Sequence, residues 1–314
     1  MQVYYGIADF KIVKNAVVTS GTFDGVHLGH QKILARLREI TTASAGESVV
    51  ITFWPHPRTV VSSDSSNLKL LSTIDEKIEL LAYNGVQHLL IIPFTRQFSE
   101  LSSEDFIQQI LIDTIGTKKL VIGYDHRFGR DREGGFDYLQ ANAERYGFEI
   151  EEIPRQDVEA TGVSSSKIRI ALTEGHIQTA NALLGRAYSL SGTVVKGKQL
   201  GRTIGYPTAN ILPEESYKLV PANGVYAVRV GYGQEVFKGM LNIGTRPTVD
   251  GTFRTIEAHI FDFDRDIYGE QLSVEFVSYI RQEQKFNGLD ALKTQLALDK
   301  QTAAGLLAFY TTLM

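Results

Sequence analysis

Between Val17 and Tyr146, short apolar runs alternate with helical patterns, and this alternation limits the fold more than any other property of the sequence. Val17-Val18, Val49-Val50-Ile51-Thr52-Phe53, Leu89-Leu90-Ile91-Ile92 and Leu120-Val121-Ile122 are nearly continuously apolar, as strands buried on both faces are. Ile33, Leu34, Leu37 and Ile40 fall on one helical face. Further helices are predicted from Ile74 to Tyr83, Glu104 to Ile115 and Phe136 to Tyr146. Thr73 and Glu76 have capping-box spacing, and Gly85, Gly116 and Gly147 stand just past three helix ends. Strands alternating with helices imply βαβ units and a mainly parallel sheet, whose ligands bind beyond the carboxyl ends of the strands. The loops after Val18, Phe53, Ile92 and Ile122 are therefore expected to cluster.

The pattern changes near Leu184-Gly185-Arg186. Segments around Ser189 to Val195, Gly224 to Val230, Val236 to Ile243, Ile256 to Phe261 and Leu272 to Ile280 read as strands. Glycine-bearing turns separate most of them, which predicts an antiparallel sheet or barrel. A helical tail from Leu289 to Tyr310 closes the chain. At 314 residues the chain exceeds one domain of about 100–200. Two domains are expected, 1–184 and 185–314.

Composition narrows the function. A net charge of −4 argues against a bulk nucleic-acid binder but says nothing against small phosphate pockets. With no cysteine, disulfides, a thiolate zinc site and a catalytic thiol are excluded. The start shows no leader pattern and no apolar run is long enough to span a bilayer, so no membrane partner and a cytoplasmic location are expected. Nothing in the sequence assigns an oligomeric state.

The loops carry the chemistry. After Val18 comes Gly21-Thr22-Phe23-Asp24-Gly25-Val26-His27-Leu28-Gly29-His30, which runs into a helix. Glycines there let phosphate oxygens approach the backbone, and the helix N-terminus adds N–H donors and a positive dipole end. His27 and His30 can each donate to phosphate oxygen. Trp54-Pro55-His56-Pro57-Arg58 follows Phe53, and Gly123-Tyr124-Asp125-His126-Arg127-Phe128-Gly129 follows Ile122. Aromatics beside Arg and His suit a planar phosphorylated ligand. Ser164-Ser165-Ser166-Lys167-Ile168-Arg169 opens a helix with three hydroxyls and two cations, which suits a polyphosphate.

In the second half, Lys196-Gly197-Lys198-Gln199-Leu200-Gly201-Arg202-Thr203-Ile204-Gly205-Tyr206-Pro207-Thr208-Ala209-Asn210 is the dense stretch. It is no Walker A loop, because no Gly-Lys-Ser/Thr closes it and it follows a β pattern. Thr208 and Asn210 are two apart, so on extended chain their side chains face the same way. Two neutral oxygens on one face suit Mg²⁺ carried by a nucleotide. Glu257 shares a strand face with His259.

His27-Leu28-Gly29-His30 resembles the HxGH signature of the nucleotidyltransferase superfamily. Nearly the whole chain resembles the bacterial bifunctional riboflavin kinase/FAD synthetase family. Gly21 to Gln31, Trp54 to Pro57, Gly123 to Gly129 and Ser164 to Arg169 match its adenylyltransferase domain in order. Gly201 to Asn210, Asn242 to Thr248, Glu257-Ala258-His259, Tyr268-Gly269 and Arg281 to Phe286 match its kinase domain. Ser166 stands where the family often has Thr, and His126 where Phe is frequent.

The resemblance implies a Rossmann-like α/β nucleotidyltransferase domain with a parallel sheet, then an antiparallel riboflavin-kinase-like barrel with a C-terminal helix. It implies phosphorylation of riboflavin to FMN by Mg²⁺–ATP, with Glu257 as base. Adenylylation of FMN to FAD would follow, with His27 and His30 as catalytic groups. For the adenylyl reaction it implies ATP contacts at Gly21, Phe23, Asp24, His27, Gly29, His30, Ser165, Ser166 and Arg169. Flavin contacts there are Pro55, His56, Asp125 and Phe128. In the kinase half it implies ATP contacts at Gly197, Gly201, Arg202, Gly205, Pro207, Thr208 and Asn210, metal contacts at Thr208 and Asn210, and flavin contacts at Glu257 and Arg281. The rival reading is a nucleotidyltransferase of another acceptor fused to a flavin-binding, non-catalytic barrel.

Overall fold

The computed structural model describes residues 1–61, 68–123, 126–130, 133–153, 162–197, 199–248 and 251–310. Contacts divide it into two units, Met1–Ser165 and Ser166–Met314.

The first unit is a six-stranded, all-parallel sheet. Its strands are β1 Gln2–Tyr5, β2 Ala16–Ser20, β3 Glu47–Trp54, β4 His88–Pro93, β5 Thr117–Gly123 and β6 Glu149–Ile153, in the order β1-β4-β3-β2-β5-β6. Alternate residues of these apolar runs feed two cores. Val18, Ile51, Leu90 and Ile122 enter one, and Val17, Val50, Leu89 and Val121 enter the other. Both faces are covered, as the continuous apolar runs require.

Helix α1, Leu28–Ala43, turns Leu34, Leu37 and Ile40 onto the second core. Helix α2, Ile74–Tyr83, starts in the capping box foreseen from Thr73 and Glu76. On the other face lie a π-helix, Phe106–Ile115, ended by Gly116 at φ 72°, and α3, Phe136–Tyr146, ended by Gly147 at φ 72°. Left-handed backbone at these ends is where glycine carries no Cβ penalty. From β2 the chain steps through α1 to β3 and on to β4, then crosses back to β5 on the opposite side of β2. That reversal opens a crevice at the carboxyl end of β2.

The second unit is a closed antiparallel barrel. Its strands are β7 Tyr188–Val195, β8 Ala209–Pro213, β9 Gly224–Tyr232, β10 Glu235–Thr248, β11 Gly251–Ile260 and β12 Gln271–Arg281, in the order β10-β11-β8-β7-β12-β9. Helices α4, Ser165–Thr173, and α5, Ile177–Leu184, precede it. From α5, Gln178 donates to the Ser278 hydroxyl (2.7 Å) and Asn181 to the Phe276 carbonyl (2.8 Å). By contacts, therefore, α5 goes with the barrel, whereas a boundary at 184/185 falls behind it.

The C-terminal helix α6, Leu289–Tyr310, lays Ala303 and Leu307 against Ala227, Met240, Phe261 and Val277. Arg281 fixes it with a two-pronged pair to Asp299, Nε–Oδ1 2.9 Å and Nη2–Oδ2 2.6 Å, and Asp299 is 1% exposed.

Candidate functional site

In the first unit the foreseen convergence of loops is partly visible. Ser20, the last residue of β2, hydrogen-bonds His126 Nε2 beyond β5 (2.7 Å). Thr52 of β3 donates to the Thr22 carbonyl (3.3 Å), and the Phe94 N–H donates to the Trp54 carbonyl (3.0 Å). Rings link the loops further, with Phe53 against Phe94 and Phe98, Phe98 against Phe106, Phe106 against Phe128, and Phe128 against His126. Asp125 lies outside the described residues.

The loop after β2 is tight. Phe23 (φ 47°), Gly25 (φ 79°) and Val26 (φ 39°) all take left-handed backbone, which costs the two side-chain-bearing residues conformational energy. Packing and hydrogen bonds hold it. Phe23 is 2% exposed and sets its ring 5.0 Å from that of His30. A Cβ on Gly21 would come within 3.2 Å of the same ring. The buried Asp24 carboxylate accepts from the Leu71 N–H (2.9 Å) and the Ser72 N–H (3.2 Å), and the Gly25 N–H donates to the Ser72 hydroxyl (3.1 Å). The Ser165 hydroxyl donates to the Asp24 carbonyl (3.1 Å). Asp24 thus latches the loop to the segment before α2. His56 is buried and its Nδ1 accepts from the Arg58 N–H (3.2 Å), while Pro55 is exposed and Phe128 buried.

His27 caps α1. Its Nδ1 accepts from the His30 N–H (3.4 Å), which leaves the proton on Nε2. The two imidazoles stack, centroids 3.7 Å apart and 14° between planes. Two imidazolium ions that close would repel. Burial, then His27, then Lys77 hold the His30 pKa well below the ordinary histidine value, so the ring is neutral at pH 7. Its Nδ1 is buried and has no hydrogen-bond partner among the described residues. The result is a stacked pair of imidazoles, the His30 ring neutral, at a helix N-terminus beyond the central strand of a parallel sheet. Each ring can donate a hydrogen bond to anionic oxygen, and the lowered pKa makes His30 a weak base.

In the barrel the register makes the site. Asn210 on β8 pairs with Glu257 on β11, and Glu257 pairs with Asn242 on β10, so the three side chains form one row on one face. Ile256 and Ala258, pointing the other way, are buried. The Arg246 guanidinium donates to the Glu257 carboxylate, whose side chain keeps 18% exposure. A Cβ on Gly197 would fall 2.3 Å from Asn210 Nδ2, and one on Gly201 would fall 2.1 Å from the Tyr206 carbonyl oxygen. Both glycines are therefore required by close packing of the loop. Gly205 turns it at φ 85°, beside exposed Arg202 and Pro207. His259 hydrogen-bonds the Pro207 carbonyl through Nδ1 (2.8 Å) and meets the Tyr206 ring edge-on at 5.2 Å, which anchors the loop just before half-buried Thr208.

Asn210 lies in β8, whereas Thr208 immediately precedes the strand, one residue before Ala209. The cradle that Gly197 leaves around the Asn210 amide fits a pair of neutral oxygen donors. Among the described residues no three acidic or histidine side chains converge into a cation cage. A magnesium ion fits this donor set as a nucleotide-borne ion that keeps phosphate and water ligands. Arg281, a foreseen flavin contact, has its guanidinium engaged by Asp299 and by the Gln282 carbonyl.

Comparison with known proteins agrees with this division. A family profile described as FAD synthetase matches residues 9–167, and one described as riboflavin kinase matches residues 184–307. A Listeria monocytogenes protein named bifunctional riboflavin kinase/FMN adenylyltransferase is 40% identical over 288 residues, covering 91% of each chain. The chain belongs to this bifunctional family. Relatives of the same name from Haemophilus influenzae and Escherichia coli are each 39% identical, covering 93% and 92% of this chain and 94% and 92% of theirs. A crystal structure from Streptococcus pneumoniae shares the fold with a TM-score of 0.89 and 31% identity, covering 97% of this chain and 99% of that one. It is described as a macrolide-efflux protein; no described helix of the present chain is long and apolar enough to cross a membrane.

Three participants were not singled out from sequence. Arg246 lies inside a matched motif, and its even spacing from Asn242 along β10, which puts it on the face that carries Glu257, was the available signal. His126 stands in the Gly123–Gly129 loop with no individual role that the sequence assigns, and it joins the β5 loop to β2. Lys77, buried on α2, looks in sequence like any helix-surface lysine.

Proposed function

We propose that the two reactions of this family divide between the two sites as their chemistry requires. The chain phosphorylates riboflavin to FMN and adenylylates FMN to FAD, using ATP in both steps. The adenylyl reaction is assigned to residues 1–184 and the kinase reaction to 185–314, with α5 acting as a brace on the barrel.

In the kinase reaction the attacking 5′-hydroxyl of riboflavin is neutral. Glu257 accepts its proton as the oxygen–phosphorus bond forms and ADP leaves. Arg246 orients the Glu257 carboxylate. Asn210 and Thr208 would hold a magnesium ion arriving with ATP, which would supply neutralising charge on the phosphates. The loop from Gly197 to Pro207, with Gly201, Arg202 and Gly205, lies over the phosphates, and Arg281 holds the flavin side through its clamp on α6.

In the adenylyl reaction the attacking FMN phosphate is already an anion, so no base is needed. Its oxygen bonds to the α-phosphorus of ATP as the bond to the β-phosphate oxygen breaks and pyrophosphate leaves. His27 and His30 donate to the α-phosphate oxygens, with the N-terminus of α1 behind them at Gly29. Ser165, Ser166 and Arg169 hold the departing pyrophosphate, while Pro55, His56, Asp125 and Phe128 form the flavin side.

The observation that carries the assignment is the stacked His27–His30 pair at the N-terminus of α1, with His30 held neutral and only weakly basic. The test is to incubate the protein with riboflavin, ATP and Mg²⁺ and resolve FMN, FAD, ADP and pyrophosphate. FMN appears with ADP, then FAD with pyrophosphate in equal amount. FAD from supplied FMN without pyrophosphate would sink the reading.

A further inference from the structure

Lys77 on α2 is 2% exposed, and it is one of the largest fully buried side chains in the protein. Among the described residues its ammonium makes no hydrogen bond and no ion pair. Among the described residues, the charged and titratable groups that act on it electrostatically are Asp24, from the loop after β2, and His30, from α1, with His27 stacked on His30. Asp24 is a weak counter-ion because its carboxylate already accepts N–H bonds from Leu71 and Ser72. On α2 itself, Glu76 is turned back to cap the Thr73 N–H. An ammonium taken out of water with so little compensation lowers stability, and an apolar side chain of the same length would serve packing better.

The ammonium is also held in place. The Asp24 bonds and the Gly25–Ser72 bond tie the start of α2 to the loop that carries His27. The histidine pair, Asp24 and Lys77 therefore form one piece in which Lys77 is the buried cation.

We propose that Lys77 is a positioning residue of the adenylyl-transfer site, its buried ammonium supplying positive charge behind the His27–His30 pair and so favouring the phosphate oxygens of the nucleoside triphosphate. The inference rests on the reading of His27 and His30 as the adenylyl site. The charge has two effects. It helps keep His30 neutral, hence a donor with a fixed proton. It also sets a positive potential where charge builds on the α-phosphate. Burial brings the Lys77 pKa down to about 8, against the opposing pull of Asp24, so the charge is present at pH 7 and leaves on the alkaline side. A polyanion bound nearby raises that pKa again, so nucleotide binding above pH 8 draws in a proton.

The test uses the full chain, with FMN and ATP as substrates and initial rates from pH 6.5 to 9.5. The wild-type kcat/KM for ATP in FAD formation falls on the alkaline side of about pH 8. Lys77→Met abolishes that limb and lowers kcat/KM at pH 7 by about tenfold to a hundredfold, less than the ~10²–10³ of a direct donor, because the ammonium acts from behind the histidines. Riboflavin phosphorylation on the same preparation stays at the wild-type rate. Lys77→Arg keeps a cation at every pH and carries the limb beyond pH 9.5. A wild-type profile flat from pH 7 to 9.5 overturns the proposal without any variant. A folded Lys77→Met with wild-type kcat/KM, or with the alkaline limb intact, overturns it as well. Should His27→Ala and His30→Ala retain FAD formation, the underlying site reading fails instead, so the two failures are distinguishable.

Discussion

In the function proposed above, the parallel-sheet unit and the barrel both handle ATP phosphates, and they are built from opposite materials. The sheet unit places two stacked imidazoles, His30 neutral, at a helix N-terminus and commits the Asp24 carboxylate to backbone N–H groups. The barrel leaves the Glu257 carboxylate partly exposed in a row with two amides. The difference follows the nucleophile. A phosphate needs its charge tolerated, whereas a hydroxyl needs its proton removed. A carboxylate facing the first reaction would repel both substrates, and the second reaction has no acceptor without one.

The largest expected effect tests that contrast directly. Glu257→Gln keeps size and hydrogen bonding but removes the proton acceptor, and a positioned general base is commonly worth ~10²–10⁴-fold. FMN formation from riboflavin should fall by that factor, mostly in kcat, while FAD formation from supplied FMN is unchanged. Wild-type phosphorylation by this variant, with chemistry rate-limiting, would remove Glu257 from the role of base and erase the contrast.

The converse change comes next. His27→Ala or His30→Ala should lower FAD formation from FMN by ~10²–10³-fold, the loss expected for one charge-stabilising donor, and leave riboflavin phosphorylation intact. His27→Ala also removes the cap of α1, worth about 1 kcal/mol of stability. The sole tryptophan, Trp54, lies in the first unit and reports its melting separately.

A smaller effect is expected at Gly197. The Cβ of alanine would sit 2.3 Å from the Asn210 amide, so either the loop or Asn210 must shift. A displacement of about 1 Å at a positioning residue can cost up to ~10²-fold. Gly197→Ala should raise KM for ATP and lower kcat in the kinase reaction by about tenfold or more, with FAD formation from FMN untouched. Equal loss in both reactions would mean that the effect is not local to the barrel.

Much of this architecture was legible because it rests on local chemistry. The α2 capping box, the glycines after the π-helix and α3, and the buried parallel strands all follow from residues a few positions apart. The strands that escaped notice were β1, β6 and β8. β6 reads Glu-Ile-Glu-Glu-Ile and is an edge strand whose Glu151 pairs with Arg36 and Lys119, so it has no apolar run to show. β8 is five residues long, ends in proline, and meets β11 at two positions only. In the site, the histidines and Glu257 were visible as motif residues. The roles of Asp24 and Arg281 were not, because their partners lie 47 and 18 residues away and the pairing exists only in the fold. Lys77 was invisible for the same reason. A lysine on an amphipathic helix is ordinarily solvated, and only packing against the histidine loop makes it otherwise.

The smallest effect compares the two units on acidification. His30 and His259 are both held below the ordinary histidine value, each mainly by burial. For His259 the hydrogen bond to the Pro207 carbonyl offsets part of that burial, Lys300 adds to it and Asp262 opposes it, whereas for His30 both His27 and Lys77 add to it. The sign follows from proton counting. Below about pH 6.5 the unfolded chain protonates these histidines while the folded chain still holds them neutral. The unfolded state then binds more protons, so stability falls as the pH falls through that window, and it is fully present above it. Because its shift is the larger, His30 makes the sheet unit lose more than the barrel does. Urea melts of the full chain at pH 7.5, 6.5, 6.0 and 5.5, followed by Trp54 fluorescence for the sheet unit and by far-UV circular dichroism for both, should show the Trp54 transition moving further to lower urea. His30→Gln removes the titrating group and should flatten that dependence, whereas His259→Gln should flatten only the part of the dichroism change that Trp54 does not report. If the Trp54 midpoint is equally acid-sensitive in wild type and His30→Gln, the imidazole is not held neutral by the fold, and the first site lacks the neutral donor that sets it apart from the barrel.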